Sequence, residues 1–369
     1  AQAGRAQAQH PSSNIASCFA QQHPSGMAVT APSASTWQPT AAGQDADQTL
    51  GSVYGPCLGR PRAPTTLATV GCIVGQHGRV KCLGSALLTD VADLLVASDR
   101  SAAAIVDEEG ILLGTITEND MVQAYAEGME YNYMVTAAVW LQSGRARFPR
   151  TLTQEMTVLV TTPLCEAAEK MRTHALSNSG WRHLIVKDEQ GTLQGILSSL
   201  DLARALCSSG AGMEEVDRRI GAATVAEVMK PRAALPTCSV TCTMEQALKC
   251  MLHVHQNCVL ITDASGLSVA AIGVLTPRDA LRAFAEHVRL DVSVGHWLRG
   301  VQSALAPRMV RPDSWMADAA RTMANHSIHH LVVVSVASEE IIGVVSSSDL
   351  AQVIGSAERV VLGFGPADV

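Results

Sequence analysis

Aromatic residues are scarce in this chain of 369 residues, at 4% against 47% for the wider hydrophobic set. Its cores must therefore be built from Val, Ile, Leu, Ala and Met. No stretch of 18 or more apolar residues occurs, which argues against a membrane-spanning helix. Basic residues are outnumbered, with 27 Lys and Arg against 34 acids and a formal charge of -7, so no nucleic-acid-binding surface is implied. None of the ten cysteines forms a Cys-x-x-Cys pair. Scattered thiols in apolar contexts fit a reducing intracellular compartment better than a disulfide framework. No P-loop and no Gly-x-Ser-x-Gly elbow is present. No side chain stands as a general base beside an evident nucleophile, so neither catalysis nor a metal or prosthetic group is expected.

A different shortage marks the first stretch. Residues 1–44 hold one Arg, no Lys and no acid, among many Ala, Gln, Ser and Pro. Such material cannot build an ordinary core. The expectation is a low-complexity extension over 1–64, held in place by other protein subunits that contact residues 1–60. Its acid-poor composition also resembles an organelle-targeting segment, which leaves mitochondrion and chloroplast open.

What the chain does have is one short string, four times. Gly114, Thr117 and Asp120 recur as Gly195, Ser198 and Asp201, as Gly273, Thr276 and Asp279, and as Gly343, Ser346 and Asp349. The intervals between the aspartates are 81, 78 and 70 residues, so a unit of roughly 60 residues plus a linker is reused. A unit that small buries too little surface to be stable alone, which gives pairing a physical reason.

The second copy shows the pattern most plainly. Leu164, Ala167, Ala168 and Met171 line one side of a predicted helix. A strand over 183–186, a turn closed by Gly191 and a strand over 193–197 follow. Asp201 then opens a second helix over 201–206. In the later copies Met251 and Met323 take the place of Met171, and Ala247 and Ala319 that of Ala167. Small and polar residues over 207–223 separate the second copy from the third.

This pattern resembles the cystathionine-beta-synthase (CBS) domain family over about residues 65–358. The resemblance implies a mixed α/β (α+β) fold of four CBS repeats forming two Bateman modules. Module 1 covers 65–208, a linker 209–221, module 2 222–358, and a C-terminal tail 359–369. Copies 1 and 2 are expected to pair, as are copies 3 and 4. The two modules are expected to form a flat disk within one chain, with dimerisation of chains as the alternative. The fourth copy is similar to the last CBS motif of the gamma subunits of AMP-activated protein kinase, which carry His-Arg where this chain has His329-His330. The resemblance implies AMP, ADP or ATP as ligand, with S-adenosylmethionine less favoured, and a role in modulating a partner protein.

The residues themselves support such a ligand and a plainer alternative. A carboxylate at a helix start can accept from two neighbouring ribose hydroxyls, and the Ser or Thr three residues earlier can turn toward ribose or phosphate. The same pair can simply cap a helix, an effect of about 1 kcal/mol. The candidate binding residues are Thr117 and Asp120; Arg182, His183, Ser198 and Asp201; Thr276 and Asp279; and His329, His330, Ser346 and Asp349. Copies 2 and 4 rank first because each joins its aspartate to nearby cations, Arg182 being the fixed fork for phosphate and the histidines pH-sensitive partners. Arg278 fits a salt bridge or a phosphate, Arg100 is a further cation of the first copy, and Arg145, Arg147 and Arg150 form a basic insertion. The competing function is an assembly subunit of an organellar complex that keeps the CBS fold as a scaffold.

Overall fold

The computed structural model describes residues 68–74, 80–128, 134–144, 156–176, 182–207, 214–253, 257–263, 271–301, 308–338 and 340–356. The expectations for residues 1–60, for the tail over 359–369 and for the three insertion arginines lie outside them.

Each copy is a strand, a helix, a two-stranded hairpin and a second helix. Copy 1 is β1 (Lys81–Leu83), α2 (Leu88–Ala97), β2 (Ala102–Val106), β3 (Leu112–Thr117) and α3 (Glu118–Ala126), preceded by a lead-in helix α1 (Val70–Val74). A second lead-in, α4 (Ala137–Gln142), opens copy 2: β4 (Thr157–Leu159), α5 (Leu164–Leu176), β5 (His183–Lys187), β6 (Leu193–Ser198) and α6 (Ser199–Cys207). Helix α7 (Glu214–Ile220) then leads to α8 (Val225–Val228) and β7 (Lys230–Pro231), the lead-in of copy 3. That copy holds β8 (Thr237–Ser239), α9 (Met244–His253), β9 (Val259–Thr262), β10 (Ala271–Leu275) and α10 (Pro277–Ala285). Lead-in α11 (Val294–Val301) precedes copy 4: β11 (Met309–Val310), α12 (Met316–His326), β12 (His330–Val334), β13 (Ile341–Ser346) and α13 (Ser347–Gly355). In every copy the first strand runs parallel to the second, and the second pairs antiparallel with the third.

Apolar spacing explains the first helix of each copy. Leu88, Val91, Ala92 and Leu95 repeat as Leu164, Ala167, Ala168 and Met171, as Met244, Ala247, Leu248 and Met251, and as Met316, Ala319, Ala320 and Met323. All are buried at one helical face, the i, i+3, i+4, i+7 stripe of an amphipathic helix. The hairpin turns use the same chemistry twice: Gly110 and Gly191 both adopt φ 81°. Asp107 and Asp188 accept the amides of Ile111 and Thr192, each at 2.7 Å.

Strand alternation sends one face of each sheet to a partner sheet. Ala102, Ala104 and Val106 meet Ile185, Leu193 and Ile196 between copies 1 and 2. Leu260 and Val274 meet Val332, Ile341 and Val344 between copies 3 and 4. The helical faces make the other connection: one core joins copies 1 and 3, and a second joins copies 2 and 4. Both pairs therefore lie against each other within the chain.

The pairs are also laced together by their lead-ins. Four bridges show it: Thr69 with Pro163, Leu87 with Thr136, Thr224 with Trp315 and Thr243 with Ser293. Each joins the lead-in of one copy to its partner copy. The repeated glycine is a consequence. A Cβ on Gly114 would lie 2.9 Å from Leu141 of α4, on Gly195 2.5 Å from Val74 of α1, and on Gly343 2.5 Å from the Lys230 carbonyl of β7. The contact at Gly343 is with backbone and cannot be relieved by a rotamer change, whereas Leu141 and Val74 are side chains that a Cβ would have to displace, so the string keeps Gly where the partner's lead-in crosses.

Two expectations change. The stretch read as a linker contains α7, whose Val216 and Ile220 are buried in the core of copies 2 and 4. Each aspartate sits at the third position of its helix rather than opening it, because the Ser or Thr takes the capping position.

Candidate functional site

All four strand-to-helix junctions are built alike. The Oδ2 of Asp120, Asp201, Asp279 and Asp349 accepts both the backbone amide and the hydroxyl of the capping Thr117, Ser198, Thr276 and Ser346. The four carboxylates are at most 4% exposed. One oxygen of each is thus committed to the cap, and the surroundings of Oδ1 separate the copies.

At Asp120, Oδ1 faces the indole Nε1 of Trp140 at 3.5 Å. At Asp201, Arg100 of copy 1 donates from Nη1 to Oδ1 at 2.7 Å and from Nη2 to Oδ2 at 3.1 Å, while Arg204 reaches Oδ1 at 3.2 Å. Arg100 is the largest influence holding the Asp201 carboxyl below its usual range against the opposing effect of burial. At Asp349, Oδ1 has no hydrogen-bond partner among the described residues. Its charge is felt by the Cys258 thiol, which burial pushes up to about 11.

Asp279 faces a cavity of about 140 Å³ between copies 3 and 4. Val274, Ile328 and Val332 give apolar walls, and Arg278, Arg282 and Arg308 supply three guanidinium groups. Burial raises the pKa of Asp279, opposed first by its bond from Thr276 and then by Arg308. His329 and His330 line the same cavity. Burial depresses both, His330 to about 3 and His329 well below the usual histidine range. They are therefore neutral donors or acceptors near pH 7, not cations.

Deeper in, charges of three copies interlock. Arg204 donates to Asp99 at 2.9 Å and to the Ser327 hydroxyl at 3.1 Å. Arg278 lies 2.6 Å from Glu118 and 3.6 Å from Asp99. The Arg278–Glu118 contact is ionic rather than a well-aimed hydrogen bond, leaving Arg278 Nε and Nη2 buried without a hydrogen-bonding acceptor among the described residues. His329 Nε2 and His330 Nδ1 are likewise buried and without a hydrogen-bond partner among the described residues. Such groups carry a free-energy cost that an incoming acceptor or donor relieves. A smaller cavity of about 20 Å³ adjoins, lined in part by Ser101, Glu118, Arg182, His183, His329 and His330. There His183 Nε2 meets the Ser101 hydroxyl at 2.8 Å, and burial lowers its pKa to about 3.

The profile of the CBS domain matches residues 79–127, 151–208, 225–286 and 306–356, more than half of the chain. The chain belongs to the CBS domain family. A Methanocaldococcus jannaschii protein, described as a candidate archaeal homologue of γ-AMPK, matches with a TM-score of 0.57 at 13% identity. That match covers 77% of this chain and 99% of the other, a likeness that shows the fold alone. A Pyrobaculum aerophilum CBS domain protein, solved with AMP, is 25% identical over 34% of this chain and 89% of its own, with a TM-score of 0.29. The CBS domain of a bacterial CNNM/CorC family Mg²⁺ transporter, solved with ATP, is 19% identical over 39% of this chain and 97% of its own, with a TM-score of 0.31. A search of curated proteins gave no match.

The CBS repeats distribute the expected residues differently from their order in the chain. The sequence groups His329 and His330 with Asp349 of their own copy, yet they line the cavity of Asp279 in the partner copy. The sequence groups Arg182 and His183 with Asp201, whose carboxylate is instead gripped by Arg100. The pairing of sheets causes both changes, since it brings the strand start of one copy to the aspartate of its neighbour. Arg282, Arg308 and Arg204 escaped the sequence reading. A signal existed for two of them: the residue three after the aspartate is Arg204 in copy 2 and Arg282 in copy 3, but Gln123 and Gln352 in the others.

Proposed function

We propose that this CBS protein is a non-catalytic regulatory module that binds an adenine nucleotide (AMP, ADP or ATP) in the cleft at Asp279 and modulates a partner protein through it. The observation that carries the reading is the chemistry of that cleft. It joins apolar walls suited to a base, a capped carboxylate whose Oδ1 has no hydrogen-bond partner among the described residues, and three arginines suited to phosphate. The buried, unpartnered Arg278 Nη2 favours an anionic oxygen as its missing acceptor. At about 140 Å³ the cavity is smaller than the ~300–1,000 Å³ of ordinary ligand pockets. A whole nucleotide therefore needs the two copies to separate slightly. That requirement supplies a regulatory step, because a ligand moves an equilibrium only by its different affinity for the two states.

Calorimetric titration of the folded protein with AMP, ADP, ATP and S-adenosylmethionine tests the reading. Binding of an adenine nucleotide that weakens on Asp279→Ala supports it, and no binding of any of the four refutes it. A second reading, a rigid scaffold, is favoured by the carboxylates of Asp120 and Asp201, which are engaged by Trp140 and by Arg100 of the chain itself. A protein that assembles with its partner subunits identically with and without nucleotide would support the scaffold.

A further inference from the structure

The buried helical stripes align Met244 of copy 3 with Leu88, Leu164 and Met316 of the other copies. Six residues before that point, on the first strand, the four copies carry Cys82, Val158, Cys238 and Val310. Two residues before it, in the turn, they carry Ala86, Thr162, Cys242 and Ser314. Six residues after it, on the first helix, they carry Leu94, Lys170, Cys250 and Thr322. Copy 3 alone places a thiol at all three positions. The fold asks for none there, since copies 2 and 4 are built the same way without one.

Packing of helix on strand brings the outer two positions together. In copy 2, Lys170 Nζ reaches back to the Thr157 carbonyl of β4 at 3.4 Å, so this helix position overhangs the first strand. In copy 3 the shorter side chains meet directly: the Cys238 thiol donates a hydrogen bond to the Cys250 sulfur, and Cys242 lies beside Cys238. Cys238 and Cys242 rest against the core of copies 1 and 3, yet all three thiols are partly exposed. The pair thus has a packed floor and an open side. Its hydrogen bond makes the two sulfurs unlike. Cys238 is pushed far up, first by that bond and then by burial, whereas Cys250 is brought down to about 7 against the opposing effect of burial. About half of Cys250 is therefore thiolate at neutral pH, the form of cysteine that acts as a nucleophile.

We propose that Cys238 and Cys250 form an oxidisable dithiol that a hydroperoxide converts to a disulfide, with Cys250 as the attacking thiol. In the first step the Cys250 thiolate attacks one oxygen of hydrogen peroxide. An S–O bond forms, the O–O bond breaks, and the departing hydroxide takes up a proton and leaves as water. The product is the sulfenic acid of Cys250. In the second step the Cys238 sulfur gives up its proton and attacks the Cys250 sulfur. The S–S bond forms, the S–O bond breaks, and hydroxide leaves with that proton as a second water. Two thiols lose two electrons and two protons, and one peroxide becomes two waters. Cys82 provides an internal control: Leu94 stands where its partner would be, and burial pushes its thiol up.

The test is treatment of the reduced full-length chain with hydrogen peroxide, alkylation of the remaining thiols, and peptide mapping without reduction. The expected product is a Cys238–Cys250 disulfide as the main linkage, with Cys82 recovered alkylated. Before oxidation, alkylation of Cys250 should reach half its maximal rate near pH 7 rather than the usual ~8.5. Cys250→Thr and Cys238→Val, which install the residues that copy 4 holds at these positions, should each abolish the linkage. A wild-type chain in which Cys238 and Cys250 both stay free thiols overturns the proposal, and so does a main linkage to any other cysteine. An alkylation midpoint for Cys250 at or above ~8.5 overturns its role as the attacking thiol. The wild-type map decides the matter even if a variant fails to fold.

Discussion

Replacing Gly355 by Ala should destabilise the protein, against the direction that helix propensity dictates. Gly355 ends α13 where that helix crosses α5. A Cβ built there would lie 2.6 Å from the Glu169 amide nitrogen and 2.7 Å from the Ala168 carbonyl carbon and oxygen. All three are backbone atoms of a helix, so no side chain can swing aside. To reach the 3.4 Å of an ordinary contact the helices must part by about 0.8 Å. They are poorly placed to do so, because Arg219 of α7 clamps the end of α13 through the carbonyls of Ile354 and Ser356 at 2.7 and 3.1 Å. Overpacking of this kind costs about 1–3 kcal/mol. The Ala side chain returns up to about 1 kcal/mol through its better helix propensity. The net expectation is a loss within about 0–3 kcal/mol, centred on about 1.5 because the backbone contacts leave no room to relax, read as a lower urea midpoint with an unchanged denaturant slope. A Gly355→Ala protein as stable as the wild type, or more so, would show that the crossing is not close-packed and refute the reasoning.

Acid should weaken the fold ahead of ordinary carboxylate titration. His183 and His330 are held near 3, and His329 well below 6.5, by burial. The unfolded chain therefore binds protons that the folded one refuses, and stability falls as pH drops from about 6.5 toward 3, by at most about 1.4 kcal/mol per pH unit for each histidine. Asp279 and Glu118, whose raised pKa values let the folded state take up protons, oppose part of this loss. Urea midpoints at pH 7 and pH 5 check it, and a midpoint that does not fall at pH 5 contradicts the burial of three neutral imidazoles. Asp279→Ala should weaken adenine-nucleotide binding roughly 10- to 100-fold while costing about 1 kcal/mol of helix cap, measured by titration and by thermal unfolding. Gly343→Ala, whose Cβ would meet the Lys230 carbonyl at 2.5 Å, should break the pairing of β13 with β7. The readout is faster amide exchange at Val344 together with a loss of about 1–3 kcal/mol.

The local grammar of the repeat was legible because it is short-range. The stripe of Leu164, Ala167, Ala168 and Met171, the Asp188-to-Gly191 turn and the Ser198-to-Asp201 cap all lie within one turn or one helix. Helix boundaries were less so: α5 continues to Leu176 through His174, and α6 starts at Ser199 once Ser198 is recognised as the cap. The segment read as a linker hid α7, since a short helix with few apolar residues carries little periodicity of its own. The site suffered most. The Arg100–Asp201 contact spans 101 residues, and the grouping of His329 with Asp279 depends on how two sheets face each other. Nothing local encodes either contact. The sequence offers the three imidazoles as pH-sensitive anion partners because neighbouring residues do not disclose exposure, and their burial removes that charge near neutrality.

The crossing of connections, sheets joining copies 1 with 2 and helices joining 1 with 3 and 2 with 4, has a consequence for birth on the ribosome. The lead-in α4 follows copy 1 directly, and α1 has already emerged when copy 2 needs it, so the first pair can close its sheets as soon as it is made. Its helical faces cannot close. The stripes of α2 and α5 wait for α10 and α13, the last of which ends at Gly355. At roughly 5–20 residues per second, the stretch from Cys207 to Gly355 takes on the order of ten to thirty seconds to synthesise. For that interval the nascent first half carries two uncovered apolar helical layers, and that is when a holding chaperone has most to bind.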